Sequence, residues 1–220
     1  MDSRTAQRGS IRGCCCGTFL AAIILLGGLL VWNAHTTPPG VTAPMGPSTA
    51  PTAAGIIAAV GNSVESQLPN TGHARIVLTE RDLTVLAQSV SGATASGTDP
   101  TLQVTTWNGK IVIADVIHIG PIGIWRAGYF TLSSGESLPL TTPTLSAIQF
   151  GSFSLPSGLV AFLGSTIAKS DPVATLFQSS TALASYSQSF DCATVTSKGI
   201  VVWVHGPRVP ALPGLCTEHQ

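Results

Sequence analysis

Charge is scarce in this chain: ten Lys and Arg and ten Asp and Glu stand among 220 residues, and the formal net charge is zero. Without a basic face there is no electrostatic footprint for phosphates, which excludes a nucleic acid as partner. Catalytic signatures are missing too: no GxSxG elbow, no P-loop and no dinucleotide fingerprint occurs. His35, His73, His118, His205 and His219 are scattered, none at a metal-ligand spacing from another His or from a Cys. These absences predict a non-enzymatic protein with no catalytic residues, no cofactor and no metal site. A Ser with His118 and Asp115 is one triad that distant residues could assemble, but His118 on a strand reads more simply as a satisfied or half-exposed histidine. Glu80 and Asp82, the nearest thing to an acid pair, sit at a predicted helix start, where dipole and capping account for them.

What is present begins with an apolar run. Residues 17–32, GTFLAAIILLGGLLVW, are sixteen positions without a charge, and Cys14, Cys15 and Cys16 extend the stretch to nineteen. A helix needs about 20 apolar residues to cross roughly 30 Å of hydrocarbon, and a helix satisfies its own backbone there. Arg4, Arg8 and Arg12 precede the run, and no Lys or Arg follows it until Arg75. The positive-inside rule then predicts a single-pass plasma-membrane protein with a cytoplasmic N-terminus and an extracytoplasmic remainder. Trp32 suits the far interface. The rival is a cleaved signal peptide, but Val31-Trp32-Asn33-Ala34 puts a bulky Trp where a small residue is wanted. The expected organisation is a basic cytoplasmic segment at 1–13, a transmembrane anchor at 14–32, a Pro/Thr/Ala-rich linker at 33–54 and an exported domain at 55–220. The exported part holds seven basic and nine acidic residues. The linker has no apolar period and reads as an extended tether, and its roughly 20 residues reach at most about 70 Å.

Five cysteines divide by compartment. Cys14, Cys15 and Cys16 lie at the cytoplasmic membrane edge, where they either carry S-acylation or begin the span as small apolar residues. Cys192 and Cys216 are the exported pair, and an oxidising compartment favours a disulfide between them over two buried thiols.

Hydrophobic periodicity predicts the domain. Ile56, Ile57, Val60, Val64 and Leu68 form a helical stripe, ended by Pro69-Asn70 and Gly72. Residues 74–78 read as a strand, and Thr79 with Asp82 has capping-box spacing before the helical face Leu83, Leu86 and Val90. Alternation then predicts a hairpin turning at Asn108-Gly109, with Val104 facing Ile113 and Thr106 facing Ile111. Strands at 112–119, 122–132 and 138–150 follow, the last broken by Pro139 and Pro143. Helical period returns in a segment opened by Pro156-Ser157, with Leu159, Val160, Phe162, Leu163 and Ile167, and again after Asp171-Pro172, and a second hairpin joins 192–196 to 200–204. Strands in a run with helices on either side predict an α+β fold, an antiparallel β-meander packed against helices and preceded by the transmembrane helix.

The apolar side chains exceed what any motif explains. Ile113, Ile117, Ile124, Trp125 and Tyr129 on the meander, with Leu159, Phe162 and Leu163 on a helix, either close a plain core or line a groove open to an acyl chain. Two stretches carry a resemblance: Ile76-Val77-Leu78-Thr79-Glu80-Arg81-Asp82-Leu83, a strand entering a helix, and Phe150-Gly151-Ser152-Phe153-Ser154-Leu155-Pro156-Ser157-Gly158-Leu159, a strand leading through proline into a helix. Over roughly residues 55 to 205 the chain resembles small membrane-anchored bacterial envelope proteins of the YpmS-like and LmeA-like kind. The resemblance implies an extracytoplasmic lipid-binding or envelope-associated role. The expected partners are thus the membrane and a phospholipid or other apolar ligand. The alternative is a protein-protein interaction module with a closed core that docks by a sheet edge or by the Trp125 and Tyr129 face.

Overall fold

The helical stripe of the first periodic segment is buried as Ile56, Val60 and Val64 on α1 (Ala53–Thr71). Thr52 caps that helix, its hydroxyl accepting from the Gly55 N–H at 3.1 Å. The helix runs through Pro69 and stops at Gly72, whose φ of 72° suits glycine and whose N–H donates to the Leu68 carbonyl. A computed structural model describes residues 25, 27–29, 32–33, 35–41, 52–92, 101–133, 142–167, 190–210, 212 and 216. Within the apolar run, Leu25, Gly27, Gly28, Leu29 and Trp32 are helical. Among the described residues no helix is long and apolar enough to cross a membrane. The helix expected after Asp171-Pro172 lies outside the described residues.

After α1 come β1 (His73–Thr79) and α2 (Glu80–Gly92). The capping box at their junction forms as its spacing predicts. Thr79 N–H and Oγ1–H donate to Asp82 Oδ2 at 3.0 and 2.7 Å, and Asp82 N–H donates back to Thr79 Oγ1 at 3.2 Å. Glu80 is structural as well. Its Oε1 accepts from Thr106 N–H and Oγ1–H at 2.6 and 2.7 Å, tying the helix to the next sheet.

That sheet is β2 (Gln103–Trp107), β3 (Lys110–Ile119), β4 (Ile122–Ser133), β5 (Thr142–Phe150) and β6 (Phe153–Ser154), antiparallel and in sequential order. The first turn has φ of 49° at Asn108 and 71° at Gly109, and the register is Val104 opposite Ile113 and Thr106 opposite Ile111. Helix α3 (Ser157–Ile167) follows, and β7 (Phe190–Thr196) and β8 (Gly199–His205) form the closing hairpin.

The fold is α+β with antiparallel sheets packed against helices, but the strands form two sheets where the sequence suggested one meander. β1 pairs with β8, giving a three-stranded sheet in the order β1, β8, β7. Seven residue pairs join β1 to β8, from His73 with His205 to Thr79 with Gly199. At Gly199 the φ is 142° and an added Cβ would lie 2.0 Å from the Leu78 carbonyl oxygen, so the close approach of the strands requires glycine. The core forms where the helices and both sheets meet, with Ile56, Val64, Ile76, Leu83, Val202 and Val204 against Val104, Ile111 and Phe130.

The described part of the linker departs from an extended tether. Pro38 is fully buried, and Val41 packs against the larger sheet's outer cluster of Val112, Ala114, Ala127 and Tyr129. Tyr129 Oη donates to the Pro39 carbonyl at 2.8 Å and Thr105 Oγ1 donates to the Gly40 carbonyl at 2.8 Å. Residues 36–41 are therefore a strap across the outer face. Their docking uses main-chain carbonyls and two isolated apolar side chains, which leave no periodic signal in the sequence.

Cys192 and Cys216 are joined by a disulfide that closes a separation of 24 residues. Replacing both with serine removes a loop constraint of about 3 kcal/mol. Urea unfolding should show that loss as a lower midpoint for the Cys192→Ser/Cys216→Ser chain than for the oxidised protein.

Candidate functional site

Strand alternation decides which side chains can act together. On β3 the odd-numbered residues face the core and the even-numbered ones face outward, and the β3–β4 register carries this to the even-numbered residues of β4. Ile113 packs against the main core, as the plain reading of its pattern expects. The next pair on that face is Asp115 and Arg126, held as a side-on ion pair with Arg126 Nε donating to Asp115 Oδ1 at 2.8 Å. Beyond this charged rung the face becomes apolar again with Ile117 opposite Ile124, and Ile122 further out. Trp125 and Tyr129 lie on the opposite face, in the cluster under the strap. The candidates on the sheet therefore do not share one groove.

Residues 117–124 extend past the described residues of the neighbouring strands. β2 reaches only Gln103, opposite Ala114, and β5 ends at Phe150, opposite Arg126. The two-stranded tip turns at Gly120-Pro121. Beside it, Gly151 N–H donates to the Trp125 carbonyl at 2.8 Å, which fixes the β5–β6 turn and Phe153 against the base of the tip. The chain then enters α3, whose Val160 is buried. Ile122 at the tip and Phe153 in the turn beside it are 36% and 44% exposed, and Leu159 and Phe162 on α3 are 51% and 69% exposed. The side chain of Leu163 lies outside the described residues.

One groove among the described residues, between a helix and the smaller sheet, is small. About 220 Å³ lies between α1 and β1, lined by Ile56, Val60, Ser63, Ile76, Leu78 and Asp82 among others. That is below the roughly 300–1,000 Å³ of sites that enclose small ligands, and none of the eight apolar candidates lines it.

One polar cluster is not apparent in the sequence. Asp191, with its side chain fully buried, lies 3.0 Å from His73 Nδ1 and 2.8 Å from His205 Nδ1, and accepts from the Leu212 N–H at 3.1 Å. Each imidazole faces a different oxygen of the carboxylate through its Nδ1. The β1–β8 register sets the two histidines side by side. The cluster fastens the sheet end to the segment that the disulfide also holds, and nothing in the spacing of residues 73, 191 and 205 announces it. Asp115 and His118 point to opposite faces and do not meet, and among the described residues no group of three or more His, Cys, Asp and Glu is arranged to hold a metal.

No family model, no curated protein and no solved structure matches this chain.

Burial pushes the Tyr129 phenol above its ordinary value of 10.0. Its neutral form, which donates to Pro39, is therefore the one the fold favours. That contribution is fully present below pH 10.0 and is lost as pH rises toward the higher folded-state value. Thermal melts between pH 8 and 11 should show the wild-type chain losing stability above about pH 10, with a shallower loss in Tyr129→Phe. At neutral pH that variant should be weaker by about 1 kcal/mol for the lost hydrogen bond.

Proposed function

We propose that this chain is a membrane-anchored, extracytoplasmic, non-enzymatic envelope protein that binds lipid through the exposed apolar end of its five-stranded sheet. The observation that carries the reading is the apolar group beyond the Asp115–Arg126 rung. Ile117, Ile122 and Ile124 lie outside the core that Ile113 joins, Phe153 is exposed in the adjoining turn, and Leu159 and Phe162 are exposed on α3. Closing a core does not require them, and large exposed apolar patches mark interaction surfaces. The uncharged run at 17–32 with its preceding arginines supports the anchor and its direction, and the resemblance to YpmS-like and LmeA-like envelope proteins supports a lipid role. A closed module docking through Trp125 and Tyr129 is the weaker reading, because Tyr129 is 2% exposed beneath the strap.

Purification of the full chain in mild detergent, followed by lipid extraction and native mass spectrometry, tests the proposal. The wild type should retain phospholipid, and Ile122→Ser/Phe162→Ser should retain several-fold less while unfolding at a similar temperature. Equal retention by the two chains, or a wild type that emerges empty and ignores added phospholipid, would sink the assignment.

A further inference from the structure

We infer that the β3–β4 tip, the Phe153 turn and the start of α3 form one membrane-contact face, seated in the outer leaflet of the bilayer that holds the chain's own anchor. The inference rests on the anchor reading proposed above and adds an orientation to it.

The geometry begins where the apolar run ends. Trp32 is its last residue, and Asn33, the next, is bonded to the β5–β6 turn. The Asn33 carbonyl accepts from Ser152 N–H at 3.0 Å, and Asn33 Oδ1 accepts from Ser152 Oγ–H at 2.7 Å. Asn33 Nδ2–H donates back to the Leu29 carbonyl at 2.9 Å, so the helical residues of the run lead directly into this contact. The strap then docks Pro38 and Val41, five and eight residues after Asn33. One helical residue advances only about 1.5 Å. An anchor with Trp32 at the far interface therefore holds Ser152 at the level of the lipid headgroups.

The surface around that point has the chemistry such a position requires. Phe153 follows Ser152 directly, and the Gly151 bond to Trp125 joins the turn to the tip that carries Ile122 and Ile124. Residues 116–125 and 151–167 contain no Asp, Glu, Lys or Arg. The Asp115–Arg126 pair marks where charge resumes on the face of the tip. The turns away from this end are polar, with Asn108-Gly109-Lys110 on the larger sheet and Ser197-Lys198 on the smaller. Among the described residues the tip is two-stranded, and open strand edges are not tolerated in hydrocarbon, so it seats at the headgroup and acyl boundary without spanning.

Collision measurements on spin labels in the full chain test this directly. In a Cys14→Ser/Cys15→Ser/Cys16→Ser background, single cysteines would be placed by Ile122→Cys, Phe153→Cys or Leu159→Cys, with Asn108→Cys and Lys198→Cys as controls. Each chain would be reconstituted into vesicles of phosphatidylcholine and phosphatidylglycerol. Labels at 122, 153 and 159 should collide more with oxygen than with a water-soluble nickel chelate, and the two controls should do the reverse. Water-like collisions at 122, 153 and 159, in chains that resist extraction by alkaline carbonate, overturn the contact face and leave the anchor standing. Chains that wash off in carbonate overturn the anchor reading and this inference with it.

Discussion

The pairing of β1 with β8 is the contact on which the smaller sheet, and with it the core, depends. It joins residues 73–79 to residues 199–205 through seven pairs. With β1 in place, Ile76 and Leu78 reach the same cluster as the α1 stripe, and β8 contributes Val202 and Val204. The same pairing sets His73 beside His205 and so defines the position that Asp191 fills. It also imposes the demand for glycine at 199, where any Cβ would strike the Leu78 carbonyl.

The larger sheet divides its work between two faces. Its inner face is core as far as Ile113 and Gly128, then carries the Asp115–Arg126 pair, then becomes apolar again. A continuous core would have no use for a charged rung at that place. Its outer face is covered by the strap, with the Tyr129 phenol and the Thr105 hydroxyl gripping consecutive main-chain carbonyls. Tyr129 therefore serves cohesion, while the side chains past the rung are left for whatever the molecule meets.

Local signals in the sequence translate well into structure. The Asn108-Gly109 turn fixes its hairpin register because only a few residues take part, and the Thr79–Asp82 box does the same for the start of α2. The division into two sheets is not legible, since periodicity gives a strand its faces but not its partner. The strap escapes notice for a related reason: Pro39 and Gly40 engage through their carbonyls, which every residue type possesses. For the site, the alternation of β3 and β4 already separates Ile117 and Ile124 from Trp125 and Tyr129 by parity. That Asp115 and Arg126 divide Ile113 from Ile117 follows only once the register is known.

The strap changes what kind of mechanical element the linker is. A free chain of about 20 residues would let the domain sample a volume tens of ångströms across, diluting every surface toward any one target. With Asn33 bonded to Ser152 and Pro38 and Val41 docked, the described part of that chain behaves as a bracket and not as a leash. A bracket holds the β5–β6 turn and the end of the helical run at one separation, so neither samples that volume independently of the other.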